Sequence, residues 1–298
     1  MVIEISSDSR IDINHHFRVS AGPGAGKTHW LSLHVSHVLK DSESLGKMGK
    51  VACLSYTNVG ADTLMGRMYE DRSRVLSCTI HSFLYAYIVK PYLHFIATDE
   101  GFNIELLNGE DDRILSDYNT FEEIRKAVKQ YYAEQDATFT AIRAAKWKLQ
   151  EDGSLKCYAN PPKKCCKKGY ALNENAYVVY KKLAWKKGYM HYDDVLYFSY
   201  KLIQKYPFIS RTLAIQFPYV FIDEFQDTNP IQAKIIKSLG ENGAIVGVIG
   251  DYAQSIYGFL GADPNQFASF TLDGLLDYTI LDNRRSSNEI IDLSLIHI

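Results

Sequence analysis

Ala21-Gly22-Pro23-Gly24-Ala25-Gly26-Lys27-Thr28 is the stretch that decides the fold. Its small residues let backbone N–H groups wrap an anion, and a lysine and a threonine follow at the spacing of a phosphate-binding loop. The run before it, His16-Phe17-Arg18-Val19-Ser20, reads as a short strand. The run after it is helical, because Leu31, Val35, Val38 and Leu39 fall on one face. A strand, a glycine-rich turn and a helix in that order form a phosphate cradle, to which the helix N-terminus adds positive potential. Residues Ala21, Gly22, Pro23, Gly24, Ala25, Gly26, Lys27 and Thr28 are therefore expected to hold a nucleotide. Lys27 reaches the β- and γ-phosphates, and the Thr28 hydroxyl turns to Mg2+. Ala21 stands where the pattern usually has glycine and still fits the turn.

Working outward, Val51–Tyr56 and Val75–Thr79 read as further strands. Between them lies a helix with Leu64, Met65 and Met68 on its apolar side, and 81–89 looks helical. This alternation predicts an α/β fold with a parallel sheet and right-handed crossovers. From about residue 99 to 189 the chain reads as helices and polar loops without comparable buried strands. The alternation resumes at 219–223, 231–239 (helix), 244–250 and 278–281. The expected organisation is an ATP-binding α/β domain over 1–98 and 190–298, interrupted by a mostly helical subdomain over 99–189.

A second element supports the phosphate site. Phe221-Ile222-Asp223-Glu224 is an apolar strand ending in two acids. Asp223 at the strand end can hold Mg2+, and Glu224 can orient and deprotonate an attacking water. Both elements at strand ends of one parallel sheet describe a P-loop NTPase.

The acidic pair also opens a longer match. Asp223-Glu224-Phe225-Gln226-Asp227-Thr228-Asn229 resembles motif II of the UvrD/Rep/PcrA-type superfamily 1A DNA helicases. In chain order, Ala21–Thr28 resembles motif I, Ser55–Asn58 motif Ia, Thr79–Phe83 motif Ib and Gly188–Leu196 the segment leading into motif II. Gly250–Ala262 is similar to motif III, and 281–286, with Arg284 and Arg285, resembles motif IV. The resemblance is collinear and covers nearly the whole chain. It implies a RecA-like domain 1A, an inserted subdomain 1B that contacts DNA, and an ATP-dependent helicase or translocase of 3′→5′ polarity. It also implies roles. Gln254 contacts the γ-phosphate, Arg285 acts as an arginine finger, and Tyr257 and Phe259 stack on single-strand bases. Tyr56, Thr57, Asn58, His81 and Ser82 line the same track. Stacking is worth roughly 1–3 kcal/mol per base whatever the sequence, which suits a translocase. The expected cofactors are ATP and Mg2+, and the expected partners are single-stranded DNA and single/double-strand junctions.

Some positions depart from that pattern. The first glutamine is Gln130, so the adenine-reading glutamine usual before the P-loop is absent. Arg284 replaces the usual motif IV aromatic, and its guanidinium can stack on the base instead. Phe259 stands for a usual tryptophan. The resemblance places motifs V and VI and a second RecA-like domain after motif IV, whereas the sequence ends at Ile298 with a run, Leu293–Ile298, unlike a natural terminus. The expectation is an N-terminal fragment that binds nucleotide weakly and hydrolyses little. Two other functions stay open: a helicase–nuclease of the RecBCD/AddAB sort, and a nucleotide-gated DNA-binding subunit of a nuclease-containing assembly in repair or phage defence.

The bulk numbers bound these expectations. With a formal net charge of −2 over 298 residues, DNA contact must come from local patches. Arg143 to Lys187 supplies one, with twelve Lys/Arg against three Asp/Glu. Trp147, Tyr158, Tyr170, Tyr177, Tyr180 and Trp185 are interleaved, a combination that suits phosphate and base contact. For 163–168 a solvated loop is an equal alternative. No apolar run is long enough to span a membrane, and the first ten residues lack the apolar stretch of a signal peptide, so a cytoplasmic protein is expected. Cys53 and Cys78 read as buried strand residues. Cys157, Cys165 and Cys166 share a lysine-rich loop, but their spacing matches no CxxC pair and no fourth ligand is near. A reduced surface loop is expected ahead of a zinc site.

Overall fold

Continuous apolar runs such as Val51–Leu54 and Tyr219–Ile222 suit strands buried on both faces, which is the signature of a parallel sheet covered by helices. The computed structural model describes residues 2–68, 72–251 and 264–281, without the side chains of 264 and 265. Its strands, in chain order, are β1 (Val2–Ile5), β2 (Phe17–Ala21), β3 (Val51–Ser55), β4 (Val75–Thr79), β5 (Lys146–Leu149), β6 (Leu155–Tyr158), β7 (Tyr219–Ile222), β8 (Ile245–Gly250) and β9 (Leu276–Ile280). Seven of them form one sheet in the order β1-β9-β2-β8-β7-β3-β4, and every pairing in it is parallel. All its strands therefore end on the same edge, where loops of a parallel sheet gather ligands.

The chain divides into two compact units, Met1–Phe83 with Tyr206–Ile298, and Leu84–Lys205. In the first, helix α1 (Lys27–Asp41) follows β2, and helix α2 (Asn58–Arg67) follows β3. Phe17, Val19, Trp30, Leu31, Val35 and Phe221 are buried in one apolar cluster. β1 was not anticipated. It is an edge strand, three of whose four residues are exposed, so it carries no apolar run.

The second unit is mainly helical, including 118–127, 135–143, 174–186 and 192–205. Three expectations are corrected here. A strand pair is present, since β5 and β6 form an antiparallel hairpin. Its lysines made it read as a basic loop, but Trp147 and Cys157 face inward and are buried. Trp147, Tyr177, Tyr180 and Trp185 are not free for bases, because each is 6% exposed or less and packs in the core. Tyr177, Tyr180, Ala184 and Trp185 lie on one face of the helix Glu174–Lys186, with Ala176 and Lys181 also buried. Cys157, Cys165 and Cys166 are all buried rather than on a surface loop. In the first unit Cys53 is buried as expected, while Cys78 is only half-buried.

Candidate nucleotide site

The turn after β2 is shaped by Gly26, whose φ of +87° is left-handed and whose Cβ would meet Ser7 at 3.0 Å. Helix α1 starts at the next residue with no side-chain cap, leaving its first N–H groups free to face a ligand. Lys27 is buried at 8% exposure. Its Nζ donates to the Ala21 carbonyl at 3.3 Å and lies 3.7 Å from Glu224 Oε2. The Thr28 hydroxyl donates to Asp223 Oδ2 at 3.3 Å. The two sequence elements thus converge, although β8 separates β2 from β7.

They form one wall of a cleft of about 800 Å3 lined by Gly22–Thr28, 55–57, 59, 60, 63, 67, Asp223, Glu224, Gln226 and Asp227. Asp223 is 7% exposed, and burial together with the adjacent Glu224 pushes its carboxyl up to about 6. Burial and Glu224 do the same to Asp227, also up to about 6. One Asp227 carboxylate oxygen is buried without a hydrogen-bond partner. Glu224 has φ +54°, a left-handed conformation that a non-glycine residue adopts at a cost of about 1–2 kcal/mol. Three acids thus face one buried ammonium, and the site is short of positive charge.

Tyr56 and Thr57, expected on a DNA track, line this cleft. Thr57 also caps α2, its hydroxyl accepting the Gly60 N–H at 3.2 Å. Asn58 is exposed at the start of α2. His81 is buried at 5% exposure, and Ser82 is exposed and accepts from the Thr79 hydroxyl at 2.8 Å. Gln254, Tyr257, Phe259, Arg284 and Arg285 lie outside the described residues. The sequence reading missed Gln226 and Asp227 as lining residues, and also Gly60, Thr63 and Arg67. The last three sit at i, i+3 and i+7 of α2, a helical spacing that was open to detection.

The family model described as UvrD/REP helicase N-terminal domain matches residues 7–273. The chain belongs to that family. As a UvrD/REP-type domain it is similar to the ATP-dependent DNA helicase srs2 of Schizosaccharomyces pombe, 25% identical over 98% of this chain and 34% of that protein. It is similar to the ATP-dependent DNA helicase PcrA of Staphylococcus aureus, 26% identical over 92% of this chain and 36% of that protein. A shorter match is to RecBCD enzyme subunit RecB of Buchnera aphidicola, 36% identical over 36% of this chain and 9% of that protein. The chain therefore spans little more than a third of the srs2 and PcrA lengths. The UvrD/REP match agrees with the all-parallel sheet flanked by helices, which is the RecA-like α/β fold expected from the alternation.

Proposed function

We propose that this UvrD/REP-type domain is the ATP-binding part of a motor that couples ATP hydrolysis to 3′→5′ movement on single-stranded DNA. The observation that carries it is the convergence of Lys27 and Thr28 with Glu224 and Asp223, at 3.7 and 3.3 Å, in one cleft. The donor set fits a magnesium–nucleotide. Asp223 and Asp227 are held above the ordinary carboxylate range by burial and by Glu224, a situation that a divalent cation relieves. Mg2+-ATP supplies the phosphoryl group whose transfer to water yields the energy.

The residues of the chain do the rest. The backbone of Gly22–Gly26 and the start of α1 bind phosphate oxygens, and Lys27 neutralises them. Thr28 and Asp223 hold the cation, and Glu224 orients the attacking water and takes its proton. Arg67 adds positive charge at the cleft rim. Gln254 and Arg285 act at the γ-phosphate, and Arg284 stacks on the base. Tyr56, Thr57, Asn58, His81, Ser82, Tyr257 and Phe259 serve the DNA track, with single/double-strand junctions as substrate. The inserted segment 99–189, which lies within the compact Leu84–Lys205 unit, acts as the DNA-contacting subdomain 1B, and 1–98 with 190–298 as 1A. No helix among the described residues is long and apolar enough to cross a membrane.

A second function, as the nucleotide-gated subunit of a nuclease-containing defence or repair complex, is favoured by the similarity to RecB, itself named as a subunit. Single-strand-stimulated ATPase tests the first. Lys27→Ala and Glu224→Gln are both expected to lose hydrolysis, with Glu224→Gln retaining ATP binding. Normal turnover in Lys27→Ala removes the assignment.

A further inference from the structure

A cavity of about 640 Å3 lies wholly within the Leu84–Lys205 unit, and the ATP chemistry of the other unit makes no use of it. Small-molecule pockets are typically about 300–1,000 Å3, so its size is that of a ligand site. Its lining is sorted by chemistry. Ile114, Ile142 and Ala145 supply an apolar wall. Lys181 and Asp193 are polar yet buried, at 6% and 8% exposure, and Arg143 and Lys146 are exposed.

The two buried groups offer the cavity one acceptor and one donor. Asp193 Oδ2 accepts the Trp147 backbone N–H, whereas Oδ1 accepts no hydrogen bond among the described residues. Burial outweighs the Lys181 and Lys146 ammonium groups and pushes this carboxyl up, so its shell is short of a donor. Lys181 Nζ lies 2.7 Å from Asp194 Oδ1, and an ammonium has three N–H donors, so it has donors to spare. Every nucleobase carries an N–H donor next to an acceptor on its edge, the complement of this pair. The flat face of a base also suits the apolar wall.

The lining is short of negative charge. Arg113, Arg143, Lys146 and Lys181 stand against Asp112 and Asp193. Arg113 is held by Asp111 at 2.6 Å, and Lys181 by Asp194. Arg143 and Lys146 form no ion pair among the described residues. A phosphate monoester, with a charge of about −1.5 to −2 near neutral pH, answers two unmet cations. A phosphodiester inside a strand brings only one charge per nucleotide.

We propose that this cavity is a second nucleotide site, which takes a free nucleoside monophosphate with its base edge on Asp193 and Lys181 and its phosphate on Arg143 and Lys146. The assignment is independent of what the Lys27 cleft holds.

The test is calorimetric titration of the chain carrying Lys27→Ala with adenosine monophosphate in EDTA, which silences the magnesium-dependent cleft. One equivalent is expected to bind. Inorganic phosphate and ribose 5-phosphate leave Asp193 and Lys181 unmet and should bind at least about tenfold more weakly. Oligo-dT without a terminal phosphate should not displace the monophosphate. Adding Arg143→Ala and Lys146→Ala, both at exposed positions, should weaken binding by about tenfold or more and leave the thermal unfolding temperature in place. No binding of the monophosphate, or undiminished binding in the Arg143→Ala, Lys146→Ala chain, overturns the proposal. So does equal binding of ribose 5-phosphate, which marks a bare anion site, or displacement by oligo-dT, which marks a strand surface. The ligand comparisons need neither of the cavity variants, so they decide the matter even if those variants unfold.

Discussion

Asp223 in the cleft beside the Gly22–Thr28 loop and Asp194 in the Leu84–Lys205 unit are both buried, at 7% and 0% exposure, yet their chemistry is opposite. Asp194 sits in a complete shell. Lys181 Nζ is 2.7 Å away, Trp147 and Trp185 each donate an indole N–H at 2.9 Å, and the His191 backbone N–H donates at 3.1 Å. Burial pushes this carboxyl up, but the Lys181 ammonium and His191 more than offset it and hold it below the ordinary carboxylate range. Among the described residues Asp223 accepts only from the Thr28 hydroxyl and the Glu224 N–H; burial and the Glu224 carboxylate outweigh the Lys27 ammonium and raise it to about 6. A buried acid whose shell is closed is a structural part. A buried acid whose shell is open, at the end of a strand in a cleft, is where a ligand belongs.

The comparison breaks most visibly at Asp194. Asp194→Asn removes the counter-charge 2.7 Å from the buried Lys181 ammonium and leaves it Asp193 alone, and breaking a buried ion pair costs about 3–5 kcal/mol. Denaturant unfolding should show a loss of that size; a loss below about 1 kcal/mol would mean the shell is not what holds the unit together.

At Asp223 the sign reverses. Holding a carboxyl at about 6 rather than its ordinary 3.8 corresponds to about 3 kcal/mol against ionisation. The ionised form is disfavoured by folding, so this contribution falls away as pH rises from about 4 through about 6. Asp223→Asn is therefore expected to stabilise the nucleotide-free protein above pH 6 by about 1–3 kcal/mol. The same variant loses any stabilisation by magnesium. Thermal denaturation with and without Mg2+-ATP reads both, and a destabilised nucleotide-free variant contradicts the open-shell description.

His34 gives a third case, a buried ring with neither nitrogen hydrogen-bonded. It stacks on Trp30 with ring centroids 5.1 Å apart, and burial, aided by His37, pushes it down to about 3. The unfolded chain takes up a proton below about pH 6.5 and the folded one does not, so stability falls as pH drops from 6.5 towards 3. His34→Leu should remove that slope and be more stable than wild type by about 2 kcal/mol at pH 5. Parallel pH profiles for the two proteins would show that His34 is paired.

The smallest effect on stability is expected at the exposed lysines 163, 164, 167 and 168. Replacing all four with alanine should change stability by less than about 0.5 kcal/mol. If this loop meets DNA, the slope of log affinity against log salt flattens by about 0.7 for each single-strand phosphate that is no longer neutralised. An unchanged slope makes the loop a solvated surface.

The strands flanking the cleft were legible because parallel strands buried on both faces leave unbroken apolar runs. Lys27, Thr28, Asp223 and Glu224 were legible because each sits at a fixed offset from such a run. β1 was hidden by its exposure at the sheet edge. The β5–β6 hairpin was hidden by its lysines, whose charge masked the inward Trp147 and Cys157. Tyr180 and Trp185 looked like base platforms because aromatic residues among lysines have two explanations, and only burial separates them. The place of Gln226 could not be read at all, since its amide oxygen accepts from a backbone N–H 25 residues away.

The most direct test of the open cleft is a Mg2+-ATP titration of this chain followed by thermal denaturation, wild type against Lys27→Ala. At a nucleotide concentration about ten times Kd, the wild type should gain about 1.4 kcal/mol, only when magnesium is present, and Lys27→Ala should gain nothing. An equal gain in Lys27→Ala, or one indifferent to magnesium, would contradict the account.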